Sequence, residues 1–113
     1  MMKLWIDDVR PAPEGYIWAR STNDAIMIID TYNKLLDYLT YRAEEPQTLP
    51  WFEIISIDHD AGGYADQGGD FIKVLDWMEE HHLKAPIHIH SMNVVGRENM
   101  RRIIQRNNWK EVF

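Results

Sequence analysis

Short apolar runs alternate along this chain with longer stretches whose apolar residues recur at helical spacing. Leu4-Trp-Ile6 predicts a first strand, and Asp7 and Asp8 follow it directly. Pro11, Pro13 and Gly15 then impose a loop. Tyr16 to Ala19 is apolar and aromatic, which suits a second strand. Ala25, Ile28, Ile29, Tyr32, Leu35, Leu36 and Leu39 recur at the spacing of a helix expected over Asn23 to Tyr41. Ser21 or Thr22 is placed to cap it, and Asp30 and Lys34 form a supporting i,i+4 pair. Glu44 to Pro50 carries two prolines and reads as a loop. Phe52 to Ile57 is nearly all apolar, as a strand covered on both faces would be. Four of the six glycines fall between 62 and 69, so that loop is mobile or brings its backbone close to something. Asp70 is placed to cap a second helix with Phe71, Val74, Leu75 and Met78 as its buried stripe. Pro86 to His90 reads as a fourth strand. Asn93 can cap a third helix carrying Met100, Ile103 and Ile104, which Asn107 and Asn108 end. Trp109 to Phe113 can add a last edge strand.

Strands alternating with helices imply right-handed crossovers and a mostly parallel sheet with helices on both faces. A length of 113 residues fits one domain spanning 1–113. The composition, 45% hydrophobic and 27% charged, is that of an ordinary globular protein. No apolar run has membrane-spanning length, and Asp7 and Asp8 interrupt the stretch a signal peptide would need. Cysteine is absent, which excludes disulfides and thiolate metal sites and makes a cytoplasmic location the expectation. A net charge of −6 argues against broad, nonspecific nucleic-acid binding. Arg101, Arg102 and Arg106 fit a solvated helix face better than a polynucleotide track.

If the strands are parallel neighbours, their polar ends meet at one edge, where open α/β sheets bind ligands. Asp7 and Asp8 repel one another there, so they belong in a solvated turn or beside a divalent cation such as Mg²⁺. Arg10 can neutralise them or hold a phosphate with its two-pronged guanidinium. Asp58, His59 and Asp60 form either an Asp-stabilised turn or an imidazole oriented for acid–base work. His88 and His90 share a strand face. His-x-His can ligate a metal, but His88 suits a hydrogen-bonded core position and His90, near the strand end, is the catalytic candidate. His81 and His82 sit at a helix end, where cations suit the dipole, and receive no role. Ser91, Asn93, Gly96 and Arg97 can bind an anion at a helix start, the plainer reading being a helix cap with an exposed arginine.

By order, Asp7, Asp8, Asp58 and Ser91 resemble the acids and hydroxyl of a response-regulator receiver domain. The receiver pattern also wants a Lys before Pro after the fifth strand, whereas Lys110 precedes Glu111. Asp58 also runs into His59-Asp60, and Arg10 to Gly15 replaces the first helix. The chain more closely resembles the cyclic-phosphate processing receiver family. Leu4-Trp-Ile-Asp-Asp-Val-Arg-Pro-Ala-Pro13, Ser56-Ile-Asp-His-Asp60 and His90-Ser-Met-Asn-Val-Val-Gly-Arg-Glu-Asn-Met100 carry that likeness. It implies an α/β, receiver-like (flavodoxin-like) three-layer sandwich with a mostly parallel sheet and a missing first helix. It also implies a site for a cyclic phosphate on a nucleotide or an RNA 2′,3′ end. In a phosphoesterase or binding domain of this kind, Arg10, Ser91, Asn93, Gly96 and Arg97 would hold the phosphate. His59 and His90 would serve as base and acid, oriented by Asp58 and Asp60. Asp7, Asp8 and Asp58 would position Arg10 or a divalent ion. The alternatives are a non-catalytic receiver-like signalling or interaction module, and a metal-dependent phosphohydrolase with His90 among its ligands.

Overall fold

The computed structural model describes residues 2–42 and 52–113. The expected Glu44–Pro50 loop lies outside the described residues. Strands β1 (Met2–Ile6), β2 (Tyr16–Ala19), β3 (Phe52–Ile57) and β4 (Ile87–Ile89) pair in the order β2-β1-β3-β4. Every pairing is parallel. Helices α1 (Thr22–Arg42), α2 (Ile72–Glu80) and α3 (Val94–Arg106) follow β2, β3 and β4. This is the flavodoxin-like order in which the chain starts in the middle and reverses direction once.

Strand alternation sorts the sheet into two unlike faces. Leu4, Ile6, Ile55, Ile57 and Ile87 are wholly buried on one of them. They meet Val74, Leu75 and Met78 of α2, Met100, Ile103 and Ile104 of α3, and Ala25 and Ile29 of α1 in one core. Burying each of the larger side chains fully contributes about 1.5–3 kcal/mol. A register shift in β3 opposite Met2 and Lys3 turns Phe52 into this core and leaves Glu53 exposed. Strict alternation back from Ile55 would have buried the glutamate instead.

The receiver-like class, the parallel sheet and the missing first helix are as expected. The third layer, however, contains no helix among the described residues. The steps β2 to β3 and β3 to β4 run the same way across the sheet, so right-handed crossovers place α1 and α2 on one face. From α3 the chain returns to bridge Ile87 at Glu111, continuing in that direction, and α2 packs against both other helices. Only the β1–β2 connection runs the other way, and Pro11 and Pro13 keep it a loop. The opposite face is therefore furnished by side chains. Trp5 stacks on His90 with centroids 4.0 Å apart and planes 6° apart, and Tyr16 packs edge-on to Trp5.

One local expectation is resolved and three change. Ser21 is the α1 cap, accepting from the Asp24 amide at 3.1 Å, while the Thr22 hydroxyl donates to the Gly69 carbonyl. Asp70 does not cap α2; its carboxylate accepts from the Ala61 amide at 3.1 Å and closes the glycine-rich loop. The last edge strand shrinks to a single bridge at Glu111, because β4 offers three residues and the Val112 carbonyl accepts from His88 Nδ1. His88 is hydrogen-bonded but half-buried on the face opposite the core, so it is not a core histidine; Asn93 caps α3 as expected, accepting from Gly96 N at 2.9 Å.

Candidate functional site at the carboxyl edge of the sheet

The strand ends gather three carboxylates. Oxygens of Asp7, Asp8 and Asp58 all lie within 4.8 Å of one another. Asp7 is 1% exposed. Its Oδ1 accepts from the Val9 and Arg10 amides at 2.9 and 2.8 Å, folding the chain after β1 into a tight turn. Trp18 Nε1 donates to the Asp7 carbonyl and Trp5 Nε1 to the Arg10 carbonyl, so two tryptophans lace this turn to the sheet. The Asp8 carboxyl is pushed above its usual range, first by burial and then by the neighbouring Asp7 and Asp58 charges. Like charges collected in a shielded place suit a hard divalent cation, which favours oxygen ligands.

Next to this cluster His59 forms a second unit. Its Nδ1 lies 2.9 Å from Asp60 Oδ1. Asn93 Nδ2 donates to the same carboxylate at 3.3 and 3.4 Å, and also lies 3.4 Å from His59 Nδ1. A ring nitrogen that donates to Asp60 cannot accept from Asn93, so the shorter contact assigns the proton to Nδ1. Nε2 is then the basic nitrogen, and it makes no hydrogen bond among the described residues. The side chain is 15% exposed. Asp60 is held below the usual carboxylate range, first by the His59 hydrogen bond. Gly96 lies against the imidazole; a Cβ there would stand 2.4 Å from His59 Cγ.

His90 is placed differently. Its Nε2 meets Asp7 Oδ2 at 2.9 Å and its Nδ1 meets Ser56 Oγ at 2.8 Å. The ring is 8% exposed beneath Trp5. Burial, above all, pushes its pKa down, against the pull of Asp7. The neutral ring therefore donates from Nε2 to Asp7 and accepts at Nδ1 from the Ser56 hydroxyl. Both nitrogens are engaged.

The remaining candidates divide. Ser91 is buried and its hydroxyl accepts from the Asn93 amide. The Gly96 amide is occupied by Asn93, so the amides at the start of α3 without a partner among the described residues are those of Val94 and Val95. The Arg10 guanidinium is exposed and makes no hydrogen bond among the described residues. Arg97 Nε is shielded from solvent and has no hydrogen-bond partner among the described residues. Lys110 stands at the other end of the sheet, where its carbonyl accepts from Ile87.

Sequence reasoning passed over Ser56, Arg20 and the closeness of Gly62 to Asp8. Ser56 had a signal, as the one hydroxyl in an apolar run, since a buried polar group needs a partner. Arg20 donates twice to the Asp8 carbonyl and lies over the rings of Trp18 and Tyr64, 4.8 and 5.0 Å from their centroids. Gly62 has φ +54, and a Cβ there would fall 2.1 Å from Asp8 Oδ2. The glycine-rich loop thus takes the close-approach option.

The model of the Cyclic-phosphate processing Receiver domain family matches residues 2–106, and the chain belongs to that family. No curated protein and no solved structure matches the chain. No helix among the described residues is long and apolar enough to cross a membrane.

Proposed function

We propose that this member of a cyclic-phosphate processing family hydrolyses a cyclic phosphate carried by a nucleotide or an RNA terminus. The reading rests chiefly on one juxtaposition. His59, oriented by Asp60 and Asn93, directly follows Asp58 of the three-carboxylate cluster.

Asp7, Asp8 and Asp58 would hold a divalent cation, which supplies positive charge against the phosphate oxygens. His59 Nε2 takes a proton from a water molecule as the water oxygen attacks phosphorus. One ring P–O bond breaks, and the departing oxygen takes a proton from solvent, leaving a phosphomonoester and a hydroxyl. Asp60 fixes the tautomer and stabilises the imidazolium formed. Arg10, Arg97 and the Val94 and Val95 amides bind the phosphate and its developing charge. His90 is a positioning residue: it acts through Asp7, with Ser56 holding its far nitrogen. Phosphoacceptor signalling at Asp58 has less support, because Lys110 stands at the far end of the sheet.

The test is hydrolysis of 2′,3′-cyclic AMP and 3′,5′-cyclic AMP by the purified full chain, with Mg²⁺ and with chelator. The expected result is turnover of at least one substrate, lowered about 10²–10⁴-fold in kcat by His59→Gln. Arg10→Ala should act mainly on KM. Saturable binding without turnover would make the chain a binding domain, and neither binding nor turnover would overturn the reading.

A further inference from the structure

A cavity of about 700 Å³ opens at the end of the sheet away from the carboxylates. Its walls come from the first residue of β3, the segment entering β4, the C-terminal ends of α2 and α3, and the middle of α1. The floor is apolar, with Ile29, Leu36, Phe52, Met78 and Trp109. The lip carries His82, Lys84 and Lys110, and no Asp or Glu among the described residues lines the cavity. In a chain of net charge −6 this is a local reversal of sign.

A second observation falls on the same lip. Among the described residues, His82 and Asn108 are the non-glycine residues with positive φ, both at 55°. Both line the cavity. Each ends a helix where glycine would fit without strain. Asparagine and histidine are among the non-glycine residues that adopt this conformation most often. These two turns set the course of the backbone at the cavity mouth.

We propose that this cavity binds a small amphipathic organic anion, with an alkyl or aryl body on the Phe52, Met78 and Trp109 floor and a carboxylate or sulfonate head at Lys84 and Lys110. The volume is that of a ligand pocket, and such pockets pair an apolar lining with a few polar groups that fix orientation. The head stays at the wet lip, so the two lysines need not be desolvated. The site is separate from the carboxylate edge and stands independently of the proposed hydrolysis.

The experiment uses the full chain with 8-anilinonaphthalene-1-sulfonate as a fluorescent probe, and decanoate and decanol as competitors. Near-UV circular dichroism monitors the fold. The expected result is saturable 1:1 binding with the native spectrum intact, displacement by decanoate and much weaker displacement by decanol. The exposed-residue double variant Lys84→Gln/Lys110→Gln should weaken decanoate about tenfold, and binding should fall as salt rises. Equal displacement by decanol, unchanged affinity in the double variant, or no saturation would overturn the proposal. So would a dimer that separates as the probe binds, since a second copy would then be the occupant.

Discussion

Gly96 and His59 share a contact that leaves no room for a methyl group. A Cβ on residue 96 would sit 2.4 to 2.9 Å from three atoms of the imidazole. The backbone of α3 there is anchored by Asn93, so the ring must move. Gly96→Ala is therefore expected to lower turnover of a cyclic nucleotide nearly as far as His59→Gln does. Its stability should change by less than about 2 kcal/mol, because the better helix propensity of alanine partly offsets the overpacking. Steady-state kinetics beside urea unfolding separates the two effects, and wild-type turnover in this variant would mean that His59 does not act from its present orientation. Ser56 makes a different demand. It is 1% exposed, and its hydroxyl is the donor at His90 Nδ1. Ser56→Ala leaves a buried ring nitrogen without a donor, which costs about 1–3 kcal/mol. Urea unfolding reads that loss, and an unchanged midpoint would refute a net contribution of the Ser56–His90 hydrogen bond to stability.

At the scale of elements, the glycine-rich loop is a clasp between the carboxylates and α1. Thr22 holds the Gly69 carbonyl, the Asn23 amide holds the Gln67 carbonyl, and Gly62 lies against Asp8. Gly62→Ala adds a Cβ where φ is +54 and where Asp8 Oδ2 would be 2.1 Å away. The expected outcome is loss of any Mg²⁺-dependent rise in Tm, measured by thermal unfolding with and without the ion. A variant that keeps that rise would show that Asp8 is not a ligand. These elements were partly legible in the sequence. Leu4-Trp-Ile and Phe52 to Ile57 declared themselves as strands because burial demands apolar residues, and charged residues after them marked the carboxyl ends. Asn93 declared itself as a cap because an amide oxygen at a helix start satisfies free N–H groups. Asp70 sent the same signal and serves the loop instead, since propensity does not say which amide is nearest. Nor could spacing separate His59 from His90. Among the described residues one has a nitrogen free and the other has none, and that difference is made by Ser56 of β3 and Asp7 at the end of β1. The one-sided sheet was within reach, because the handedness of crossovers fixes the face once the strand order is known.

Across the whole molecule, chemistry collects at one end of the sheet and a polar clamp closes the helices at the other. Glu79, in the last turn of α2, receives both prongs of Arg106 from the last turn of α3, each at 2.7 Å, and Asn107 Nδ2 donates to the same carboxylate. The Arg106 hydrogen bonds, and after them that of Asn107, hold the Glu79 pKa down to about 2 from an ordinary 4.5. The folded chain thus binds fewer protons here than the unfolded chain between those two values. The clamp's contribution is complete above pH 4.5 and is lost as pH falls toward about 2. The pair is exposed to solvent, so its contribution is screened by salt. The expectation is a stability difference between the wild-type chain and Glu79→Gln that is largest near neutrality, narrows through that acid window, and shrinks in high salt. Urea unfolding at a series of pH values and salt concentrations measures both effects. A wild-type minus Glu79→Gln difference that stays constant from about pH 6 down to about pH 2 would mean that the clamp depends on shape and not on the charge of its carboxylate.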